Sequence, residues 1–225
     1  MTKTSFAFPI LIAATVGCGA GAPAVKPDDM GAAEHRQQAT QERAEAAEHA
    51  RRYDPGAARP VPMTPISTGA DGTYLFPTSI YNPTETHLSE ADRHRAHARQ
   101  HEKAAQALER FEEAECHAFP PSSRAACPLL APVTRVDDVD GGVRVTLLRG
   151  ARVDAVVAHM RCHYAYARAR GFDARVSCPL YMPGVDIRAS RDGAAVEITT
   201  ADPKAVAELR GRAREEAIYA RGDRR

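Results

Sequence analysis

The sequence lacks the short motifs by which many enzyme active sites are recognised. It contains no G-x-S-x-G nucleophile elbow, no H-E-x-x-H zinc motif and no glycine-rich phosphate loop after a predicted strand. The acidic run at residues 137–140 lacks the glycine and distal glutamate of an EF-hand, and a turn explains it more simply. These absences favour a non-enzymatic role. An enzyme whose site assembles only in three dimensions is the third hypothesis.

The chain also lacks an excess of charge of one sign. Lysine and arginine total 30, against 29 aspartates and glutamates. This balance leaves no large basic field for nucleic acid, which we do not expect as a partner. Tryptophan is absent, and alanine dominates the apolar residues. Large apolar side chains concentrate after Val133, and we expect the main hydrophobic core there.

A third absence is a long hydrophobic run beyond the N-terminus. The run that is present extends from Phe6 to Gly17, twelve mostly apolar residues that follow Lys3. It is too short to span a bilayer, and it has the length of the apolar region of a signal peptide. We therefore predict that residues 1–17 are a cleaved signal peptide and that the mature chain is exported.

The end of this run, Thr15-Val16-Gly17-Cys18, resembles the lipobox of bacterial lipoproteins, although that family usually has Leu where this chain has Thr15. The resemblance implies that Cys18 becomes the acylated N-terminus and a membrane anchor. Gly19 stands where an Asp would retain such a lipoprotein in the inner membrane, so the resemblance implies the periplasmic face of the outer membrane. The alternative is ordinary cleavage after Ala20-Gly21-Ala22, which would give a soluble product.

Composition divides the mature chain before its core into four segments. Residues 28–53 are rich in Ala, Glu, Arg and Gln and predict a helix, whereas residues 54–84 hold six prolines and predict an extended linker. A second helix, rich in histidine, follows and ends before Pro120-Pro121. The predicted segments are a tether at 18–27, a helix at 28–53, a linker at 54–84 and a helix at 86–117.

Residues 133–222 predict an internal duplication. Alternating apolar residues indicate strands, and apolar residues at helical spacing follow them in each half. A shift of 53 positions places Val143 on Val196 and Val153 on Val206 without a gap. Neither half can bury its sheet face alone, so the sequence predicts an α+β fold in which a ββαββα domain shares four strands backed by two helices.

Four cysteines remain in the predicted mature chain after Cys18. Cys116-His117 precedes Cys127-Pro128-Leu129, and Cys162-His163 precedes Cys178-Pro179-Leu180. An even number in an exported chain favours disulfides, and the parallel patterns favour Cys116–Cys127 and Cys162–Cys178. A metal site that uses His117 or His163 is the alternative, although no C-x-x-C pair is present.

Histidines concentrate in the second predicted helix. His94, His97 and His101 lie three, four and seven residues apart and share one helix face. His35 and His49 share a face of the first helix, so imidazoles could meet across an antiparallel pair. Imidazole binds copper and zinc, which makes His94, His97 and His101 candidate ligands. Ordinary solvated histidines are the alternative, and His159 with His163 is a weaker candidate pair.

These patterns lead to two functional hypotheses. The first is a lipid-anchored cell-envelope protein that acts as a non-enzymatic binding or structural module. The second is a periplasmic protein that binds copper or zinc through the histidine face of its second helix. The sequence indicates no protein partner.

Overall fold

A computed structural model describes residues 24–64, 66–67, 74–75, 77–130, 133–173 and 177–222. The predicted signal peptide and the lipobox with Cys18 lie outside the described residues, and their roles stay predictions. Among the described helices, none has the length and apolar character needed to cross a membrane.

The N-terminal part is the predicted pair of helices, α1 (Ala32–Arg52) and α2 (Thr86–Cys116). Helix α1 begins at Gly31, whose backbone N–H donates to the Glu34 carboxylate at 2.9 Å. This capping bond satisfies one of the free donors of the first turn. The residues before it, Pro27–Asp29, form a separate 3₁₀ turn, so α1 begins later than predicted.

Alanine lines the interface between the two helices. Each helix buries one alanine in every seven residues, and the small side chains allow the two backbones to approach closely. The contacts run in opposite directions along the two helices, since His35 near the start of α1 meets His101 and His49 near its end meets His87. The helices are therefore antiparallel. The buried alanines at this spacing are Ala32, Ala39 and Ala46 on α1 and Ala91, Ala98 and Ala105 on α2.

The proline-rich segment between the helices folds back on itself. Strand β1 (Arg59–Pro62) pairs antiparallel with β4 (Thr78–Tyr81), and β2 (Ile66–Ser67) pairs with β3 (Tyr74–Leu75). Pro60 and Pro62, which have no backbone N–H, alternate with residues that do. The Met63 N–H, directly after Pro62, donates to the Pro77 carbonyl oxygen at 2.9 Å. The segment is extended as predicted, but its strands pair in a ribbon, which composition did not indicate.

The C-terminal part follows α3 (Pro121–Arg124) and confirms the predicted ββαββα arrangement. Its four strands form one antiparallel sheet in the order β5-β6-β8-β7, packed against two helices. Strand β6 and helix α4 are each offset from β8 and α5 by 53 residues at both ends. The elements are β5 (Val133–Val139), β6 (Gly142–Leu147), α4 (Val153–Ala169), β7 (Val185–Ala189), β8 (Ala195–Thr200) and α5 (Val206–Gly222).

The two halves meet at the centre of the sheet. Strands β6 and β8 pair so that Arg144 lies opposite Glu197, the residue 53 positions later that corresponds to it in the second half. This register places a local two-fold axis between Arg144 and Glu197. Val145 lies opposite Val196, and both are fully buried. The inner strand of each half pairs with the inner strand of the other, so the four-stranded sheet is complete only when both halves are present.

The cysteine pairing predicted from the sequence is wrong. Cys116 is bonded to Cys162, with Cα atoms 4.6 Å apart, whereas Cys127 and Cys178 are unbonded and their sulfurs lie 3.0 Å apart. The end of α2 packs against the middle of α4, which brings the first cysteine of each repeated motif together and, separately, the second. Proximity along the chain suggested local loops, but helix packing decided the partners.

Candidate metal centres

Polar side chains interrupt the alanine interface at a regular interval. One heptad position of α1 carries histidine or glutamate, and the facing position of α2 carries histidine each time. Because the helices are antiparallel, these residues meet in three layers. The layers are His35 with His101 (Nδ1 to Nδ1, 3.0 Å), Glu42 with His94 (Oε2 to Nδ1, 2.7 Å) and His49 with His87 (Nδ1 to Nδ1, 3.1 Å).

The middle layer brings imidazoles and carboxylates of both helices together. His94 Nδ1 lies 2.7 Å from Glu42 Oε2 and 3.1 Å from Glu45 Oε2, so two carboxylates share one imidazole. His97 Nδ1 lies 3.8 Å from the same Glu42 oxygen. The His49 ring stacks on the His94 ring with centroids 5.4 Å apart. The result is a half-buried cluster of imidazoles and carboxylates contributed by both helices.

Two sets of three side chains in this cluster lie close enough together to hold a metal ion between them. His49, Glu90 and His94 each place one donor atom within 4.8 Å of the others, and so do Glu42, Glu45 and His94. His94 belongs to both sets. We call these five residues the helix-pair cluster.

The three histidines predicted as ligands are divided between layers. His94 is the centre of the helix-pair cluster, and His97 lies beside it. His101 is one heptad away and pairs with His35. Burial, followed by the neighbouring His35, lowers the pKa of His101, because a charged imidazole is poorly solvated there.

The sequence reasoning missed the glutamates and His49 as candidate ligands. His49 was identified only as sharing a face with His35. The signal that could have found the cluster is the spacing of seven residues that relates His87, His94 and His101. Matching that spacing against α1 would have placed Glu42 opposite His94.

A second group of donor atoms lies where the loops before β5 and β7 meet α4. Cys127, His163 and Cys178 place one donor atom each within 4.8 Å of the others. The His163 Nε2 atom is 3.5 Å from Cys178 Sγ, and His163 Nδ1 is 2.8 Å from the Arg124 carbonyl oxygen. The hydrogen bond with the Cys178 thiol, followed by burial, raises the pKa of Cys127. We call these three residues the thiol cluster.

The alternative considered from the sequence, a metal site formed by cysteines with His117 or His163, is supported in part by the thiol cluster. Two of the four cysteines and His163 converge, whereas Cys116 and Cys162 are bonded to each other. His117 is exposed at the end of α2 and contacts the Ala114 carbonyl oxygen at 2.9 Å. The parallel Cys-His motifs therefore have different environments, although their sequences match.

Comparisons with protein-family models, with curated proteins and with solved structures found no match.

Proposed function

We propose that this chain is an exported cell-envelope protein, anchored through Cys18, that binds a zinc or copper(II) ion between α1 and α2. The anchoring part rests on the signal-like run and the lipobox-like residues before Cys18. The observation that carries the metal-binding part is the pair of three-donor sets that share His94. The proposed role is binding without catalysis.

The donor types match such an ion. Imidazole nitrogens and carboxylate oxygens together suit zinc and copper(II), which accept both. The Glu42 side chain is only 12% exposed, and Glu45 lies with it on the same imidazole. The Glu45 side chain is 44% exposed, so the negative charge that is costly away from water is mainly that of Glu42. A bound cation would compensate this charge.

The position of the cluster gives the ion a structural consequence. His49 and Glu42 lie on α1, whereas His94 and Glu90 lie on α2. An ion bound to donors from both helices would hold together an interface that is otherwise lined mainly by alanine. Binding free energy would then stabilise the folded helix pair.

The rival function is a purely structural module. The outer layers favour it, since His35 with His101 and His49 with His87 are in hydrogen-bond contact with each other. In that case the middle layer is a further hydrogen-bonded contact, and the helix pair serves as a rigid spacer or a surface for a protein partner. The two functions differ in what zinc does to the purified protein.

The test uses the full chain with Cys18→Ser, Cys127→Ser and Cys178→Ser. Loss of Cys18 should shift the protein from the membrane fraction to the soluble fraction, which tests the anchor.

Loss of the two thiols leaves only imidazole and carboxylate donors. Calorimetric titration of this chelator-treated protein with zinc should show saturable binding of about one ion per chain, and copper(II) should compete for the same site.

His94→Gln should weaken zinc binding at least about tenfold, because it removes the donor common to both sets. His101→Gln is the matched control on the same helix face, one heptad away, and should leave binding unchanged. The proposal is overturned if zinc binds no better than to a denatured sample, or if His94→Gln binds as tightly as its parent. Those results would favour the structural module.

A further inference from the structure

The thiol cluster presents a buried imidazole whose second nitrogen faces two sulfurs. His163 is 1% exposed. Its Nδ1 lies within hydrogen-bond distance of the Arg124 carbonyl oxygen, which can only accept, so Nδ1 carries the proton. The Nε2 lone pair is therefore directed towards Cys178 Sγ. A histidine held by a backbone carbonyl through one nitrogen, with the other free to bind, has the arrangement typical of metal ligands.

We propose that Cys127, Cys178 and His163 bind one thiophilic d¹⁰ metal ion, zinc or copper(I), at a site independent of the helix-pair cluster. Two thiolates and one imidazole suit both ions, which prefer sulfur donors. The ion replaces the two thiol protons, so two metal–sulfur bonds form, two protons leave, and no electron is transferred. The ligands come from three separate segments and would be joined by the ion.

A disulfide between Cys127 and Cys178 is the competing use of the same sulfurs, and an exported chain favours oxidation. Oxidation removes both thiol protons, and with them the proton that Cys178 Sγ can share with the buried His163 Nε2. The other tautomer does not relieve this, since Nδ1 would then carry no proton to donate to the Arg124 carbonyl oxygen. Metal binding satisfies both sulfurs and the imidazole together, whereas a disulfide satisfies only the sulfurs.

The site also has a route for the ion to enter. Cys178 is buried, but Cys127 is only half-buried and lines an apolar groove beside Phe119, Pro128 and Val156. His159 lies at the same groove, one turn before His163 on α4. An ion reaching the groove from solvent therefore meets the Cys127 sulfur first.

The experiment uses the full chain with Cys18→Ser and His94→Gln, isolated from the envelope without reductant. A non-reducing peptide map first establishes the state of the four cysteines, and we expect Cys116–Cys162 linked and Cys127 and Cys178 unlinked. Titration with cadmium as a spectroscopic probe should produce an ultraviolet sulfur-to-metal charge-transfer band that saturates at about one ion per chain. Excess zinc should remove the band by competition, and zinc binding to the metal-free protein should release about two protons per ion.

Copper(I) supplied with a competing chelator distinguishes the two natural ions by relative affinity. The decisive variant is His163→Asn, whose amide can keep the contact with the Arg124 carbonyl while removing Nε2. It should weaken cadmium binding at least tenfold, whereas the matched control His159→Asn should not. If His163→Asn does not fold, Cys127→Ala removes a half-buried ligand and should abolish the band.

The proposal is overturned if the peptide map shows Cys127 linked to Cys178, or if cadmium gives no charge-transfer band. It is also overturned if the band and affinity survive His163→Asn. None of these outcomes bears on the helix-pair cluster, which contains no sulfur. The failure of either site is thus distinguishable from the failure of the other.

Discussion

The helix pair and the ββαββα region bury different kinds of side chains. Leu209, Ile198 and Met160 fill the core between the sheet and its helices. The interface of α1 with α2 buries mainly alanine, together with His35 and His101. Burial of large apolar side chains is the principal stabilising term in folding, and an alanine contributes little of it. The helix pair must therefore depend more on polar contacts and on its attachment to the rest of the chain.

That attachment is concentrated on α4. The disulfide joins the end of α2 to α4, and Asp28 pairs with Arg168 at 2.6 Å. Gly31 packs so closely on the end of α4 that a Cβ there would lie 2.9 Å from the Arg170 carbonyl carbon. Gly171 opposite it has φ +76°, a conformation that glycine adopts without strain. We therefore expect the ββαββα region to depend less on the helix pair than the helix pair depends on it.

The largest expected effect comes from cutting the link between the regions. Replacing Cys116 and Cys162 together by serine should lower the free energy of unfolding by about 4 kcal/mol in the chain-entropy model, because the bond spans 46 residues. Denaturant unfolding measures the loss. Hydrogen exchange should show that protection falls more in α1 than in β6.

The control for this prediction is the double replacement of Cys127 and Cys178, which are unbonded in the structure. When no metal is present, it should lower the free energy of unfolding by less than the replacement of Cys116 and Cys162 does. Equal loss of protection in α1 and β6 would show that the two regions unfold as one unit, and it would contradict the expected difference in stability between them.

A smaller effect should separate the two kinds of packing. Ile198→Ala removes a fully buried side chain from the sheet and should cost about 3 kcal/mol. Ala98→Leu adds volume between α1 and α2, where Ala98 is 2% exposed, and should cost about 2 kcal/mol by forcing the helices apart. Denaturant unfolding of both variants measures these costs. A stabilising Ala98→Leu would mean that the helix interface is loosely packed.

The smallest effect is a pH dependence that belongs to the helix pair. The pKa of His101 is lowered in the folded state from its ordinary value of 6.5. The unfolded chain therefore binds more protons than the folded chain as pH falls below about 6.5, so stability is lost on acidification and is fully present above that value. Unfolding free energies at pH 7.5 and 5.5 should differ in this direction.

His101→Gln should reduce this pH dependence, since glutamine cannot be protonated. His117→Gln, at an exposed position directly after the same helix, is the matched control and should leave the dependence unchanged. A dependence that persists in His101→Gln would assign the protonation to other groups.

Sequence reasoning predicted most of the fold because the relevant signals are local or periodic. Helix propensity indicated α1 and α2, and the shift of 53 residues indicated the duplicated strands and helices. It placed His94, His97 and His101 on one face of α2 from spacing alone. It did not predict the β1–β4 ribbon, because prolines report where a chain is extended and not what it pairs with.

The sequence by itself determined the charge balance, the helix and strand periodicities and the duplication, since these depend on residues near one another or on simple repetition. Only the tertiary structure decided that Cys116 meets Cys162, that His94 meets Glu42 and Glu45, and that His163 faces Cys127 and Cys178. Each of these contacts depends on the register and docking of elements far apart in the chain. Register is fixed by packing summed over a whole interface, so no single motif encodes it.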